Sequence, residues 1–84
     1  MEIQKLTDDE LLLEAKETVV DEERATQKVL KYLEEIERRK LYLARGYGSL
    51  FEFCVKELKY SEGSAGRRIS SMRLIRLTLS SRAN

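Results

Sequence analysis

The sequence predicts an all-α protein, a small bundle of about four helices with a long second helix and a C-terminal pair like a helix-turn-helix. The chain has 84 residues, no proline, four glycines and 37% charged residues, which favours helices. Its apolar residues follow a helical period, and no alternating strand pattern occurs. We expect a single domain, with an acidic helical hairpin over residues 1–45 and a basic part over residues 46–84.

The first predicted helix begins after Thr7 and runs to about Val20. Thr7 and Glu10 match a capping box, and the acids that follow Thr7 suit a helix N-terminus. One apolar face comprises Leu11, Leu12, Ala15 and Val19. The acidic stretch over residues 21–23 either begins a second helix or lies within a continuation of the first.

The second predicted helix is long, from about Glu22 to Arg45. An apolar stripe of about 120° runs along it, formed by Ala25, Val29, Tyr32, Leu33, Ile36, Leu43 and Ala44. The opposite face is charged and expected to be solvated, with helical ion pairs such as Glu34–Arg38 and Glu35–Arg39. Because two helices alone bury such stripes poorly, the stripe predicts a homodimer formed through this helix.

Gly46 is expected to follow the end of the second helix with a positive φ, which glycine adopts without steric cost. Ser49 and Glu52 then match a second capping box. The third predicted helix, about residues 50–58, presents Leu50, Phe51, Val55 and Leu58 to the core, with Phe53 and Cys54 nearby. The single cysteine, Cys54, excludes an internal disulfide and is expected to be a small buried hydrophobe.

Ser61 is expected to cap the fourth predicted helix, about Glu62 to Leu79. Its core side comprises Ala65, Ile69, Met72, Ile75 and Leu79. Gly63 and Gly66 lie on the far side, where each costs roughly 1 kcal/mol relative to alanine. Glycines on an outer face indicate that a DNA groove or another helix approaches the backbone closely.

The charges divide the chain into two halves. Residues 1–44 hold eight Lys or Arg and twelve Asp or Glu, whereas residues 45–84 hold eight Lys or Arg and three Glu. A basic half can neutralise phosphates, and an acidic half would repel them. An alternative interpretation is that long helices simply carry mixed, solvated charges.

The spacing from the third to the fourth helix matches a helix-turn-helix, although Lys59 stands where glycine is usual and Val55 where alanine is usual. A positive φ at Lys59 would cost about 1 kcal/mol. Taken with the basic charge, this pattern predicts double-stranded DNA as the partner. The expected DNA-binding residues are Lys59, Ser61, Ser64, Arg67, Arg68, Ser70 and Arg73.

The run from Glu35 to Ile75 is similar to the helical N-terminal region of certain bacterial HNH endonuclease-family proteins. The similarity covers about half of the chain and departs at Lys59, where that family tends to have glycine. It implies an accessory, DNA-binding helical domain without the nuclease domain. The matching residues are Glu37, Arg39, Leu41, Tyr42, Gly46, Tyr47, Ser49, Leu50, Glu52, Glu57, Leu58, Tyr60, Ser61, Ala65, Arg67, Arg68, Ile69, Arg73 and Leu74.

The composition argues against catalysis. The chain has no histidine and one cysteine, so it lacks an imidazole base, a Ser-His or Cys-His nucleophile and a thiolate zinc site. No phosphate-binding glycine motif occurs, and the acidic clusters are explained by helix capping. We expect no enzyme activity, catalytic residue, metal, cofactor or small-molecule substrate. No apolar run fits a signal peptide or a membrane span, so we expect a cytoplasmic protein.

Two further functions stay open at this point. The chain is alternatively a protein-interaction or dimerisation bundle without nucleic acid, in which Leu74 and Leu77 dock a partner helix. A third possibility is an idle remnant of a larger nuclease.

Overall fold

The computed structural model describes residues 2–82, with side chains up to residue 78. A short 3-10 turn, Ile3–Lys5, precedes four helices: α1 (Asp8–Arg39), α2 (Leu41–Ala44), α3 (Leu50–Lys56) and α4 (Glu62–Arg82). The predicted all-α bundle of about four helices is confirmed, and residues 2–82 contain no strand. No helix in this range is both long enough and apolar enough to cross a membrane.

The N-terminal half of the chain is one continuous helix of 32 residues. Of the two alternatives for residues 21–23, the continuation of the first helix is therefore the correct one, and residues 1–45 do not form a helical hairpin. The capping box is confirmed: the Thr7 hydroxyl accepts from the Glu10 N–H at 3.2 Å, and the Glu10 carboxylate accepts from the Thr7 N–H at 2.9 Å. The acids at residues 21–23 lie inside the helix, because neither glycine nor proline interrupts it there.

The long helix ends at Arg39, six residues before the predicted Arg45, because Lys40 takes a left-handed conformation with φ 54° and ψ 39°. In its last turns, Glu35 accepts hydrogen bonds from both Arg38 and Arg39, which lowers the pKa of the Glu35 carboxyl to about 2. The Glu35–Arg39 pair was predicted, whereas Arg38 pairs with Glu35 and not with Glu34.

The predicted positive φ at Gly46 is confirmed, with a value of +91°. The Gly46 N–H donates to the Leu43 carbonyl at 3.0 Å, and the Tyr47 N–H donates to the Tyr42 carbonyl at 2.9 Å. This pair of bonds is the Schellman arrangement, which satisfies the last carbonyls of α2. The chain thereby turns from α2 towards α3.

The core lies where α1, α3 and α4 meet. Cys54 is fully buried, as predicted, and its burial raises the pKa of the thiol. Among the other core side chains, Leu33 and Met72 are each 1% exposed. The buried core comprises Leu30, Leu33, Leu50, Phe53, Cys54, Ala65, Ile69 and Met72.

The core-facing side of the α3 region agrees with the prediction at Leu50, which is buried, and at Val55, which packs against the core, and differs from it at Phe51 and Leu58. Phe51 and Leu58 are each 40% exposed, whereas Leu50, Phe53 and Cys54 are buried. Those three residues stand at i, i+3 and i+4, which is one side of a helix. Both patterns are compatible with the sequence, and packing against α4 selects the second. On α4 itself the predicted core residue Ile75 is 39% exposed, and the side chain of Leu79 lies outside the described residues.

The first half of α1 buries no apolar side chain. Leu12 and Val19 are about 60% exposed (60% and 61%), and Leu11 is 42% exposed, although the sequence predicted that they share a packed face. Only the second half of α1 reaches the core, through Leu30 and Leu33.

An ion pair between helices fixes the crossing of α1 and α4. Glu37 on α1 accepts from Arg73 at 2.7 Å and from Arg76 at 2.9 Å, and its side chain is 17% exposed. The hydrogen bond from Arg73, followed by that from Arg76, lowers the pKa of the Glu37 carboxyl despite the opposing effect of burial. We call this contact the Glu37 clamp.

Glu37→Gln should lower the free energy of unfolding at pH 7 by about 1 kcal/mol, because it removes the charge from a hydrogen-bonded pair. The folded-state pKa of Glu37 lies below its ordinary value of 4.5, so its contribution is complete above that pH and is lost as the pH falls through the folded-state pKa. Urea unfolding followed by circular dichroism should therefore show a smaller stability loss between pH 7 and pH 3 in Glu37→Gln than in the wild type.

Glu23→Gln, at an exposed position of the same helix, is the control and should follow the wild-type pH profile. A Glu37→Gln profile that declines as steeply as the wild type would show that the clamp contributes no acid sensitivity.

Candidate nucleic-acid interface

A short turn connects α3 to α4. Lys59 takes a left-handed conformation with φ 67° despite its side chain. The N–H groups of Leu58 and Tyr60 donate to the carbonyls of Phe53 and Cys54 at 3.2 Å and 3.1 Å. These bonds close the end of α3 and set the direction in which α4 begins.

Ser61 caps α4, as predicted: its hydroxyl accepts from the Ser64 N–H at 3.2 Å. Ser49 similarly caps α3 by accepting from the Glu52 N–H at 3.0 Å. The Glu52 carboxylate reaches the Gly48 N–H at 3.3 Å, one residue before the position expected for a full capping box. Both helices of the pair therefore begin at residues whose side chains satisfy otherwise unpaired N–H groups.

A polar contact stabilises this pair of helices. The sequence did not predict it. The Glu57 carboxylate accepts from Arg45 at 3.1 Å and from the Tyr47 hydroxyl at 3.2 Å. Burial, and then the hydrogen bond to Glu57, raise the pKa of Tyr47. The Tyr47 ring also meets Phe53 edge-to-face at 5.8 Å between centroids. These contacts of Glu57 thus hold the turn after α2 against the end of α3.

The outer side of α4 is open at its two glycines. A Cβ placed on Gly66 would meet nothing within 4 Å, and one on Gly63 would come within 3.4 Å of Arg67 Nη1 only. No described residue packs closely enough to require glycine at either position. Packing within the described chain therefore does not account for the helix-destabilising glycines.

Arg67 and Lys59 are exposed basic side chains on this surface, together with the exposed Ser61 and Ser70. The Arg67 guanidinium is steadied by a hydrogen bond from Nη2 to the Ser64 hydroxyl at 3.2 Å. Ser64 is half-buried, and its hydroxyl accepts this bond from Arg67. Its main role is therefore to orient Arg67.

Two of the expected DNA-binding arginines are engaged within the protein. Arg68 is half-buried, with its guanidinium carbon 4.4 Å from the centroid of the Tyr60 ring and Nη1 3.4 Å from the Ser64 carbonyl. Arg73 takes part in the Glu37 clamp, although its side chain remains 53% exposed. The contact of Arg68 with Tyr60 joins α4 to the turn before it, and the contact of Arg73 with Glu37 joins α4 to α1. Helical periodicity does not predict either contact.

Acidic side chains also lie near this surface. Lys56 pairs with Glu52 at 3.2 Å, and Glu62 adds an exposed carboxylate in the first turn of α4. Within the described range, no cluster of three or more His, Cys, Asp or Glu side chains is placed to hold a metal ion. The surface thus offers Lys59 and Arg67, two exposed cations that form no ion pair with the described residues, and hydroxyl groups around an open helix backbone.

Comparison of the chain with protein-family models, with curated proteins and with solved structures gives no match.

Lys59→Gly should raise the free energy of unfolding by about 1 kcal/mol, because glycine adopts φ 67° without the clash of a Cβ. Lys56→Gly is the matched control, since it removes the same charge from the last turn of α3 and should lower stability by a similar amount. Urea unfolding at pH 7 measures both. A destabilised Lys59→Gly variant would show that the Lys59 side chain makes contacts worth more than the backbone strain.

Proposed function

We propose that this chain is a non-catalytic DNA-binding module that places the start of α4 in a groove of double-stranded DNA. The observation that carries the proposal is the open outer side of α4, where Gly63 and Gly66 expose the backbone beside Arg67. The turn geometry at Lys59 and the cap at Ser61 support the same interpretation.

In the proposed complex, some of the exposed residues contact phosphates and Arg67 contacts a base edge or a phosphate. Lys59 in the turn and Ser61 at the start of α4 contact phosphates, where the N-terminal end of a helix favours anions. Arg67 reads the O6 and N7 edge of a guanine or binds a phosphate with two hydrogen bonds. Ser70, one turn further along, contacts the opposite strand. Gly63 and Gly66 allow the groove walls to approach the helix backbone.

The other expected site residues position this surface. Arg68 stacks on Tyr60 and holds the turn, and Ser64 orients Arg67. Arg73, held by Glu37, fixes the angle at which α4 leaves the bundle. In this proposal the module acts in the cytoplasm without a cofactor. Its resemblance to the accessory region of HNH endonuclease-family proteins implies a DNA-binding helical domain.

The proposed module acts as a homodimer, which would present two α4 helices to one duplex. The stripe expected to form the dimer is not open along its length, because Leu33 is 1% exposed and Val29 and Ile36 pack against the core. Pairing must therefore use other apolar residues.

A second candidate function is a protein-interaction bundle that binds no nucleic acid. The exposure of Leu74 (66%) and Leu77 (65%) on the outer side of α4 favours it. In this alternative a partner helix covers the leucines and the glycines together. If this alternative is correct, the chain does not bind duplex DNA. The two measurements that follow distinguish it from the DNA-binding module.

Arg67→Ala should weaken binding to a fluorescently labelled duplex about tenfold and should make the salt dependence of log Kd shallower by about one unit, because one phosphate or base contact is lost. Fluorescence anisotropy between about 50 and 200 mM salt measures both quantities. Arg24→Ala removes the same charge from an exposed position on α1 and should change the affinity by less than about twofold. A wild-type chain that fails to bind at the lowest salt concentration, or equal losses in both variants, would refute the proposal.

Gly66→Ala should raise the free energy of unfolding by roughly 1 kcal/mol, since alanine is the better helix former and its Cβ meets no described atom. The same variant should bind duplex DNA several-fold more weakly if the groove approaches this backbone. Ser71→Ala, at an exposed position of the same helix, should change neither quantity by as much. Undiminished DNA affinity in a stabilised Gly66→Ala variant would place the DNA away from Gly66.

A further inference from the structure

The projecting first half of α1, residues 8–25, carries an apolar stripe with no counterpart in the described chain. We call this segment the arm. At 100° per residue, Leu11, Leu12 and Val19 fall on the same side of α1 as the buried Leu30 and Leu33. The three arm residues are 42%, 60% and 61% exposed. The stripe that forms the core therefore continues along the arm after the bundle has ended.

A second apolar surface lies on the outer side of α4, in its C-terminal half. Leu74 and Leu77 are 66% and 65% exposed, and the neighbouring Ile75 is 39% exposed. Neither Leu74 nor Leu77 belongs to the core-facing stripe that contains Met72. The arm stripe and this surface therefore lie on two different helices.

The charges around these surfaces are complementary. The arm carries eight Asp or Glu and only two basic residues, Lys16 and Arg24. Residues 62–78 of α4 carry four arginines and one acid, Glu62. Arg73 and Arg76, which flank the leucines, are 53% and 41% exposed even while they contact Glu37. Two arms side by side would bring like charges together, whereas an arm on α4 pairs opposite charges.

We propose that the arm of one copy of this chain docks on the C-terminal half of α4 of a second copy. The exchange is reciprocal, so a two-fold axis generates two identical contacts between arm and α4. The arm is about 27 Å long, at 1.5 Å per residue, enough to lie across the leucines of a partner's α4. Leu12 and Val19 cover Leu74 and Leu77, and the arm carboxylates face Arg73 and Arg76. This contact uses neither Lys59 nor Arg67, so it can be tested in the absence of DNA, and its failure is distinguishable from a failure of DNA binding.

Three double variants test the exchange, with sedimentation velocity as the measurement and circular dichroism to verify the helix content. The arm variant is Leu12→Glu with Val19→Glu, and the α4 variant is Leu74→Glu with Leu77→Glu. The control is Leu13→Glu with Val20→Glu, which alters the other side of the arm at positions 58% and 46% exposed. We expect dimers for the wild type and the control, and a loss of dimer affinity of at least 100-fold for each of the other two.

Mixing the arm variant with the α4 variant is the decisive experiment, because each supplies the surface that the other lacks. Reciprocal exchange predicts a heterodimer at concentrations where neither variant pairs with itself, held by one intact contact. Added salt should weaken the wild-type dimer, as expected for opposite charges. A monomeric wild type at high concentration, an α4 variant that stays dimeric through its arms, or a mixture without heterodimer would each overturn the proposal.

Discussion

The crossing of α4 over the second half of α1 is the contact on which the rest of the structure depends. Leu33 and Met72 are almost fully buried there, and the Glu37 clamp sets the rotation of one helix against the other. α3 packs against α4 and adds Leu50, Phe53 and Cys54 to the same core. In a chain of this size the buried core is small, and five of its eight side chains lie on α1 and α4. The crossing also sets the direction of α4, and therefore which partner its outer side can contact.

Intramolecular pairing decides which positive charges are available to a partner. The chain's net charge is only +1, and much of the basic charge in its second half is neutralised locally. Glu37 engages Arg73, and Glu57 engages Arg45. What stays exposed on the turn and the start of α4 is Lys59 and Arg67. Affinity for a polyanion would therefore come from a small, well-placed surface and not from the field of the whole protein, and it would be sensitive to salt in proportion to those few contacts.

Sequence reasoning succeeded wherever structure is set by a few neighbouring residues. The caps at Thr7 and Ser61 and the positive φ at Gly46 depend on local chemistry, and all three were predicted. It failed where tertiary packing chooses between similar local patterns, as at Phe51 and Leu58, which were expected to face the core and are each 40% exposed. The contacts of Arg68 with Tyr60 and of Arg73 with Glu37 join residues that are apart on the helix surface or along the chain, so helical periodicity could not reveal them.

The outer side of α4 changes character along its length, and the change separates the two proposed contacts. From Gly63 to Ser70 it is open and polar, and from Leu74 to Leu77 it is apolar. A helix rises 1.5 Å per residue, so the centres of these two regions are only about 14 Å apart. An acidic arm seated on the leucines would lie close to any DNA bound at the glycines and would repel its phosphates. Ion pairs from Arg73 and Arg76 to the arm would offset only part of this repulsion, because the arm has a net charge of −6 and both arginines already contact Glu37. The Glu37 clamp, which holds those two arginines beside the leucines, would then set how closely the dimer contact and the DNA can approach each other.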